Sequence, residues 1–484
     1  MSIFYCTKKR HTYKVASYLI RKESILILPS DIRSYFERAA APLRIHLSSP
    51  WTYAFILLFA ASITHMGVEV QGAVIFVYII SIYLVLFDDL VSAMLPFLLL
   101  CTFTIKCYDS FDTFLPYFWH LIPAVASLVF HFAYYRKKLS IGESFFGICA
   151  VAVAVTLGGT FSISSRDYFR PTSLYYVFAL GIGMVAAYLL LRSSLAGRPI
   201  QETSDRFAAF MYLWGVFATY MVLQFTLLNL DSFLDTGDMP YIQWSNNVAT
   251  VLMLTMPFPF YYALKNPIHL VPGYLMYIAT LLSTSRGGIL FGTVEIIIIT
   301  AYVIFASRKT LTRILTISIS VLAAAVMYKN LLGLADILHV SMLVDPGSLI
   351  NSNEARMTLL KRSIEDFKSN VWFGRGLGYT GNTDAYAPKK GALYFYHMMI
   401  PQIIGSMGLC GIGGYLYQLI FRVRTVIRRI SPYTLCLFIS YLGLFMMSQV
   451  NPGEFVPIPY SLVAVSLFIV MENQPIINQG LIKE

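Results

Sequence analysis

The chain has 484 residues, of which 57% are hydrophobic and only 13% charged, with a mean hydropathy of +0.65 and a formal net charge of +11. That balance excludes an ordinary soluble globular protein. The apolar runs are continuous and about 20 residues long, not alternating segments of about ten, which selects an all-α bundle over a β-barrel.

The chain opens with a basic segment, residues 1–50, carrying nine Lys or Arg against three acids. It contains no apolar stretch followed by a small-residue cleavage site, so no signal peptide is expected and the first span serves as the insertion signal. Spans are predicted near 52–67, 69–87, 90–107, 115–134, 141–162, 172–191, 207–228, 246–264, 267–284, 287–307 and 311–328, then near 394–421, 432–450 and 455–471. The expectation is a polytopic transmembrane helical bundle of about 12–14 spans. Its segments are the cytoplasmic 1–50, a first bundle part over 51–328, a loop domain over 329–393, a last bundle part over 394–471 and a cytoplasmic tail over 472–484.

Lys and Arg concentrate in cytoplasmic loops, which orients the array. With both termini inside, Arg136 to Lys138, the segment with Arg192, Arg198 and Arg206, Arg308 to Arg313, and Arg422, Arg424, Arg428 and Arg429 fall on the cytoplasmic side. Asp231, Asp235, Asp238 and Glu454 fall outside, and so does the 65-residue connection 329–393. A loop of that length between short ones marks function. Within it, Asn351 and Glu354 have the spacing of a helix cap and its partner, and Met357, Leu360, Ile364 and Phe367 form an apolar stripe suited to a helix on the membrane surface. That helix ends near Asn370, where Trp372 to Gly378 forms a glycine-rich turn.

Few residues in such a chain can carry chemistry. Arg286 stands in Ser283-Thr284-Ser285-Arg286-Gly287-Gly288 at the junction of two apolar spans; a charge there pairs, snorkels to the interface or binds an anion. Arg356 lies in the first turns of the outer helix, with Lys361, Arg362 and Lys368 beyond it and Arg375 in the glycine-rich turn. Helix N-termini and guanidinium forks suit phosphate, while a basic helix beside anionic headgroups is the plainer reading for Lys361, Arg362 and Lys368. His397 sits where the outer loop returns to the membrane and is placed to act as a general base, or else to pack as an ordinary interfacial histidine. His120 and His131 are expected to pack. Glu295 is an acid in the middle of an apolar run, which calls for an ion pair or a polar cavity, and at 1.5 Å per residue it lies about 13 Å along the helix from Arg286. Asp88 and Asp89 fall on the cytoplasmic side, away from this set. The six cysteines show no paired spacing and are read as packing residues, and no metal site and no cofactor are expected.

Taken in order, Ser285-Arg286-Gly287-Gly288, an outer loop with Arg356, then Phe373-Gly374-Arg375-Gly376-Leu377-Gly378, then His397 followed by Met407-Gly408-Leu409-Cys410-Gly411, resembles the O-antigen ligase and polymerase superfamily. Trp244-Ser245-Asn246-Asn247-Val248-Ala249 resembles the Asn-containing span that precedes the core in its members. The likeness covers about residues 244–421; upstream it is only an array of spans. It implies a glycosyltransferase of polysaccharide assembly in the bacterial plasma membrane, acting on the outer face without metal. The donor would be a glycan linked through diphosphate to undecaprenol, and the acceptor another glycan or a lipid-linked one. Arg286 and Arg356 would hold the diphosphate, with Arg375, Gly376, Gly378, Asn247 and Glu295 as further binding candidates, and His397 would take the acceptor's proton for inversion at C1. The sequence departs from the family pattern in carrying Met398 where members commonly have Asn. A polymerase is favoured slightly over a ligase, and the competing class is a transporter or flippase of lipid-linked oligosaccharide. Membrane lipid is an expected partner, nucleic acid is not, and no export partner is specified.

Overall fold

A computed structural model describes residues 30–135, 137–162, 171–236, 242–322, 346–378, 396–451 and 453–476. Every regular element among them is helical. The chain divides into two compact units, Met1–Lys138 and Leu139–Glu484.

In the first unit, α1 (Ser30–Leu47) and α2 (Pro50–Met66) meet at a 66° bend. The bend is written locally: the Ser49 hydroxyl accepts from the Thr52 N–H, Pro50 follows at the first helical position, and Gly67 closes α2 at φ 70°. Next come α3 (Glu69–Leu86), α4 (Met94–Lys106) and α5 (Leu121–Tyr135), the last preceded by a 3₁₀ stretch from Tyr108 to His120. Several charges among the described residues of this unit are paired. Glu69 meets Lys106, Asp88 lies 3.1 Å from Lys137, and Glu37 takes hydrogen bonds from Arg44 at 2.6 Å and Tyr134 at 2.9 Å. His131 is buried with Nδ1 2.9 Å from the Leu84 carbonyl, a packed histidine as expected.

The second unit holds α6 (Ser144–Leu157), α7 (Pro171–Phe178) joined by a π-helical turn to α8 (Met184–Leu195), α9 (Ile200–Leu228) and the short α10 (Leu230–Thr236). Then come α11 (Ser245–Thr255), α12 (Pro257–Ala263), α13 (Leu270–Leu282), α14 (Arg286–Ala306) and α15 (Thr310–Leu322). The helix of the long connection is α16 (Pro346–Ser369), and α17 (Met399–Arg428), α18 (Pro432–Met447) and α19 (Leu462–Glu472) complete the bundle.

Six described helices are long and apolar enough to cross a membrane: Glu69–Leu86, Thr113–Tyr135, Ser173–Leu195, Ile200–Leu228, Arg286–Ala306 and Met399–Arg428. A seventh follows if the bent pair in the first unit is one span. Most other expected spans fall on apolar helices of 10–17 residues, and the one near 246–264 falls on α11 and α12, where Pro257 interrupts the run. The described residues form an all-helical structure with several helices fit to cross a bilayer.

Two expectations need correction. The helix expected to start at Asn351 begins at Pro346, so Asn351 and Glu354 lie within it, not at its start; residues 323–345 and 379–395 of the long connection lie outside the described residues. Arg422 and Glu454, assigned to opposite faces, are both buried and 3.0 Å apart. The reason is that the chain after α18 turns back into the bundle: Gly453, Glu454 and Phe455, then Pro457, Pro459, Tyr460 and Ser461, are all buried. Arg422 also donates to the Tyr441 hydroxyl and stands over the rings of Tyr441 and Phe468 at 4.5 and 5.1 Å.

Candidate functional site

The glycine-rich turn after α16 is laced to a break in α17. Gly408 interrupts that helix at φ 58° and ψ −146°, which frees carbonyls on one side and N–H groups on the other. The turn takes both sets. The N–H groups of Arg375 and Gly376 bond the carbonyls of Gly405 and Ser406, each at 2.9 Å, while those of Leu409 and Cys410 bond Val371 at 2.9 Å and Trp372 at 3.0 Å. Gly374 is forced by crowding as well as by its φ of 62°, since a Cβ there would stand 2.5 Å from the Gly405 oxygen and 2.6 Å from the Met407 nitrogen. The end of α6 joins on the other side: the Gly159 N–H bonds the Phe373 carbonyl at 2.8 Å, Asn370 Nδ2 bonds Thr160 at 2.8 Å, and Arg375 reaches the Ser162 hydroxyl at 3.4 Å. The Gly376 N–H is therefore already spent on the helix break, and the Gly378 carbonyl accepts from Ser173 at 3.4 Å.

Above this junction α16 buries a polar face. Leu359, Ser363 and Asp366, spaced i, i+4, i+7, are buried, whereas Met357 and Ile364 of the apolar stripe are 52% and 39% exposed. Asp366 accepts from the Tyr396 hydroxyl at 2.5 Å and faces Arg362 at 3.3 Å and Arg375 at 3.9 Å. Burial pushes its carboxyl above the usual range, against the pull of Tyr396, Arg362 and Arg375. Tyr396 is fixed at its other end too, its N–H bonded at 2.9 Å by Gln402, whose amide in turn meets Ser406 at 2.7 Å.

His397 comes next, with φ 55°. Its neighbours are pinned on both sides, since the Met399 N–H bonds the Ser448 carbonyl at 2.8 Å. Burial first and the Arg356 guanidinium second hold its imidazole below the usual basicity. That places Arg356 and His397 within electrostatic reach of each other, and among the described residues no carboxylate pairs with Arg356.

Arg286 opens α14 from the other direction. Ser285 caps the helix, its hydroxyl accepting from the Gly288 N–H at 3.1 Å and donating to Asn246 at 2.7 Å. Asn246 belongs to the Asn-containing span start singled out in the sequence, and the carbonyl of its neighbour Asn247 accepts from Tyr460 at 3.0 Å. The glycines beside Arg286 permit close approach, because a Cβ on Gly287 would meet Val450 at 2.5 Å and one on Gly288 would meet Ala249 at 2.7 Å. The turn that ends α18 thus touches the start of α14 through Val450 and the start of α17 through Ser448. No protein-family model and no curated protein matches the chain.

Backbone strain marks the same places. The non-glycine residues with positive φ among the described residues are Phe161, Thr284 and His397: one beside the glycine turn, one two residues before Arg286, and the candidate base itself. Strain of about 1–3 kcal/mol per residue persists only where its surroundings enforce it, and it gathers at functional sites.

Glu295 does not join this set. It is fully buried in α14 and has no ion or hydrogen-bond partner among the described residues, and it lies nine residues along the helix from Arg286. Lys361 and Lys368 are exposed. Among the described residues no group of three His, Cys, Asp or Glu comes together as a metal site. Sequence reading missed Asp366, Tyr396 and Gln402. A charged residue on the face of α16 opposite its apolar stripe is the pattern that could have singled out Asp366.

Proposed function

We propose that the protein is a membrane glycosyltransferase of polysaccharide assembly, moving glycan from an undecaprenyl-diphosphate donor on the outer face of the bacterial plasma membrane. The observation that carries this reading is the strained His397, its basicity lowered by burial and by the Arg356 cation, with the Arg286 helix start held against the same α18 turn. A diphosphate leaving group needs positive charge, and an acceptor hydroxyl needs one base. In this reading Arg286 and Arg356 hold the diphosphate and offset its charge as the bond from sugar to oxygen breaks. His397 takes the hydroxyl proton, and the acceptor oxygen attacks C1 from the opposite face, inverting it. The donor's polyprenyl tail would lie along the apolar helices, and both chain termini would be cytoplasmic. The glycines act by building the scaffold, since the Gly376 N–H serves the α17 break.

The test incubates the purified full-length protein in liposomes with an undecaprenyl-diphosphate-linked repeat unit, alone and with candidate acceptors, and assays free undecaprenyl diphosphate. Release with longer lipid-linked glycans means a polymerase, the form we favour, and release that requires a separate acceptor means a ligase. No release by a folded protein with any donor overturns bond chemistry and leaves the transporter of lipid-linked oligosaccharide.

A further inference from the structure

Of the buried carboxylates, one stands out by what it lacks. Glu69 pairs with Lys106, Asp89 takes hydrogen bonds from the backbone and hydroxyl of Ser92, Asp366 takes one from Tyr396, Glu454 pairs with Arg422, and Glu472 takes one from Tyr188 at 2.7 Å. Glu295 is more deeply buried than any of them, at 0% exposure, and neither of its oxygens has a hydrogen-bond partner among the described residues.

The surroundings explain why no partner is at hand. α14 packs against α11, α12, α13 and α18, and none of these four helices contains a Lys, Arg or His. Their titratable groups are Tyr261 and Tyr262 on α12, Tyr274 and Tyr277 on α13, and Tyr433, Cys436 and Tyr441 on α18. Tyr277 is engaged with Thr293, Tyr433 with the Ser204 carbonyl and Tyr441 with Arg422. Tyr274 is engaged with Ser320 of α15. That helix also meets α14 through Ser320 and Thr300, and its one charge, Arg313, is exposed near the turn after Ala306. The group that faces Glu295 electrostatically is the buried thiol of Cys436. On α14 itself the other titratable residues are Arg286 and Tyr302, and the Tyr302 hydroxyl is committed to the Pro432 carbonyl at 2.9 Å.

Where the carboxyl head ends, α18 offers a bare backbone. A Cβ on Gly443 would stand 2.8 Å from Oε1 and 3.0 Å from Oε2, so the head lies flat on that glycine, between two closely packed helices. An ionised carboxylate with no cation or protein donor beside it among the described residues carries a desolvation cost that a single protein fold does not sustain, and such a group takes up a proton instead. A neutral acid in the same place costs only the few kcal/mol of an unmade hydrogen bond.

We infer that Glu295 is a proton-binding site in the core of the bundle, holding its proton at neutral pH and letting α14 and α18 close on each other at Gly443. The ligand is a proton and the residues that shape its site are Glu295, Gly443 and Cys436. The inference stands apart from glycosyl transfer, since it uses no residue of that site. It does touch the same helices: α14 starts at Arg286, and α18 ends in the turn that contacts Gly287 and the Met399 N–H. A bare charge on Glu295 would drive these two helices apart.

Infrared difference spectroscopy on the full-length protein in lipid, wild type minus Glu295→Gln at neutral pH, tests it. The expected result is a protonated-carboxyl carbonyl band in the wild type that shifts in deuterated buffer and is lost in the variant, with the variant unfolding at the same temperature or higher. Carboxylate bands in place of that band, in a folded wild type, overturn the proposal. Failure of Glu295→Gln to fold overturns it equally, because glutamine reproduces the shape and neutrality of the protonated acid.

Discussion

At His397 the backbone adopts a conformation that costs a residue with a Cβ about 1–2 kcal/mol, and the flanking contacts of Tyr396 and Met399 supply what holds it there. Two causes lower the imidazole's basicity, burial and then Arg356. Arg356→Ala removes the second, so the imidazole should recover basicity, and the acid limb of the rate profile for undecaprenyl diphosphate release should move to higher pH. The loss of positive charge at the leaving group should lower that rate by about 10²–10³-fold. His397→Ala should lower it by about 10²–10⁴-fold, the usual worth of a general base, and remove the acid limb altogether. A profile for Arg356→Ala that keeps its wild-type limb would mean that the two residues do not act together. Tyr396→Phe probes the support beneath them. It strips the buried Asp366 of a hydrogen bond to a charged group, a loss of about 1.5–3 kcal/mol, and thermal unfolding should show it, while Lys361→Ala on the exposed face should change stability by less than about 0.5 kcal/mol. Equal effects from the two would remove Asp366 from the framework of the site.

Between α16 and α17 the joint is made of glycine backbone, and there the value of each glycine differs. Gly374 has positive φ and main-chain atoms crowded round it, so alanine can be accommodated only by breaking the lacing of the turn to the α17 break. Gly374→Ala should destabilise the protein by more than about 2 kcal/mol, above the left-handed penalty alone. Gly413, on the same helix, has nothing within 4 Å of the place a methyl group would take, and Gly413→Ala should be neutral or stabilising by up to about 1 kcal/mol, as for an ordinary helical glycine. Thermal unfolding in detergent compares the two, and a neutral Gly374→Ala would deny the joint its structural role. The residues of this joint were legible in sequence, because Phe373 to Gly378 reads as a tight turn from its glycines alone. What it binds was not. Arg375, Gly376 and Gly378 are binding candidates through the family resemblance, yet the N–H groups of Arg375 and Gly376 meet carbonyls freed at Gly408, more than thirty residues later, and no local pattern announces that partnership. For α16 the apolar stripe was visible at helical spacing, but the face turned to α17 is the one with Leu359, Ser363 and Asp366. Periodicity finds an apolar face; it does not find a polar face that is buried because its charges are already paired.

Over the whole chain, the all-helical character and the places of the apolar helices follow from hydropathy, because a bilayer leaves the backbone few other ways to satisfy its hydrogen bonds. The division after Lys138 has no composition shift to reveal it, and every candidate site residue lies in the second unit. Loop charge was a poorer guide wherever the chain turns back on itself. Arg422 counts as a cytoplasmic charge in sequence, but it is buried against Glu454 and spends its charge inside the bundle. The expected orientation therefore rests on the basic clusters that remain, above all Arg308 and Lys309 between α14 and α15 and Arg313 in the first turn of α15, all exposed; a cytoplasmic place for them would set Arg286, at the far end of α14, on the outer side. That assignment can be measured without any substrate. Single cysteines introduced as Lys389→Cys, in the connection before His397, and Gln479→Cys, in the tail, would be challenged in intact cells with a membrane-impermeant maleimide, in a background with the native cysteines replaced. Modification of position 389 in intact cells, with position 479 modified only after the membrane is opened, is the expected outcome. It would put Arg356 and His397 where a lipid-linked donor on the outer leaflet is presented. The reverse pattern would leave the geometry of the site intact but place it on the cytoplasmic face, and transfer from an outer-face donor would then have to be abandoned.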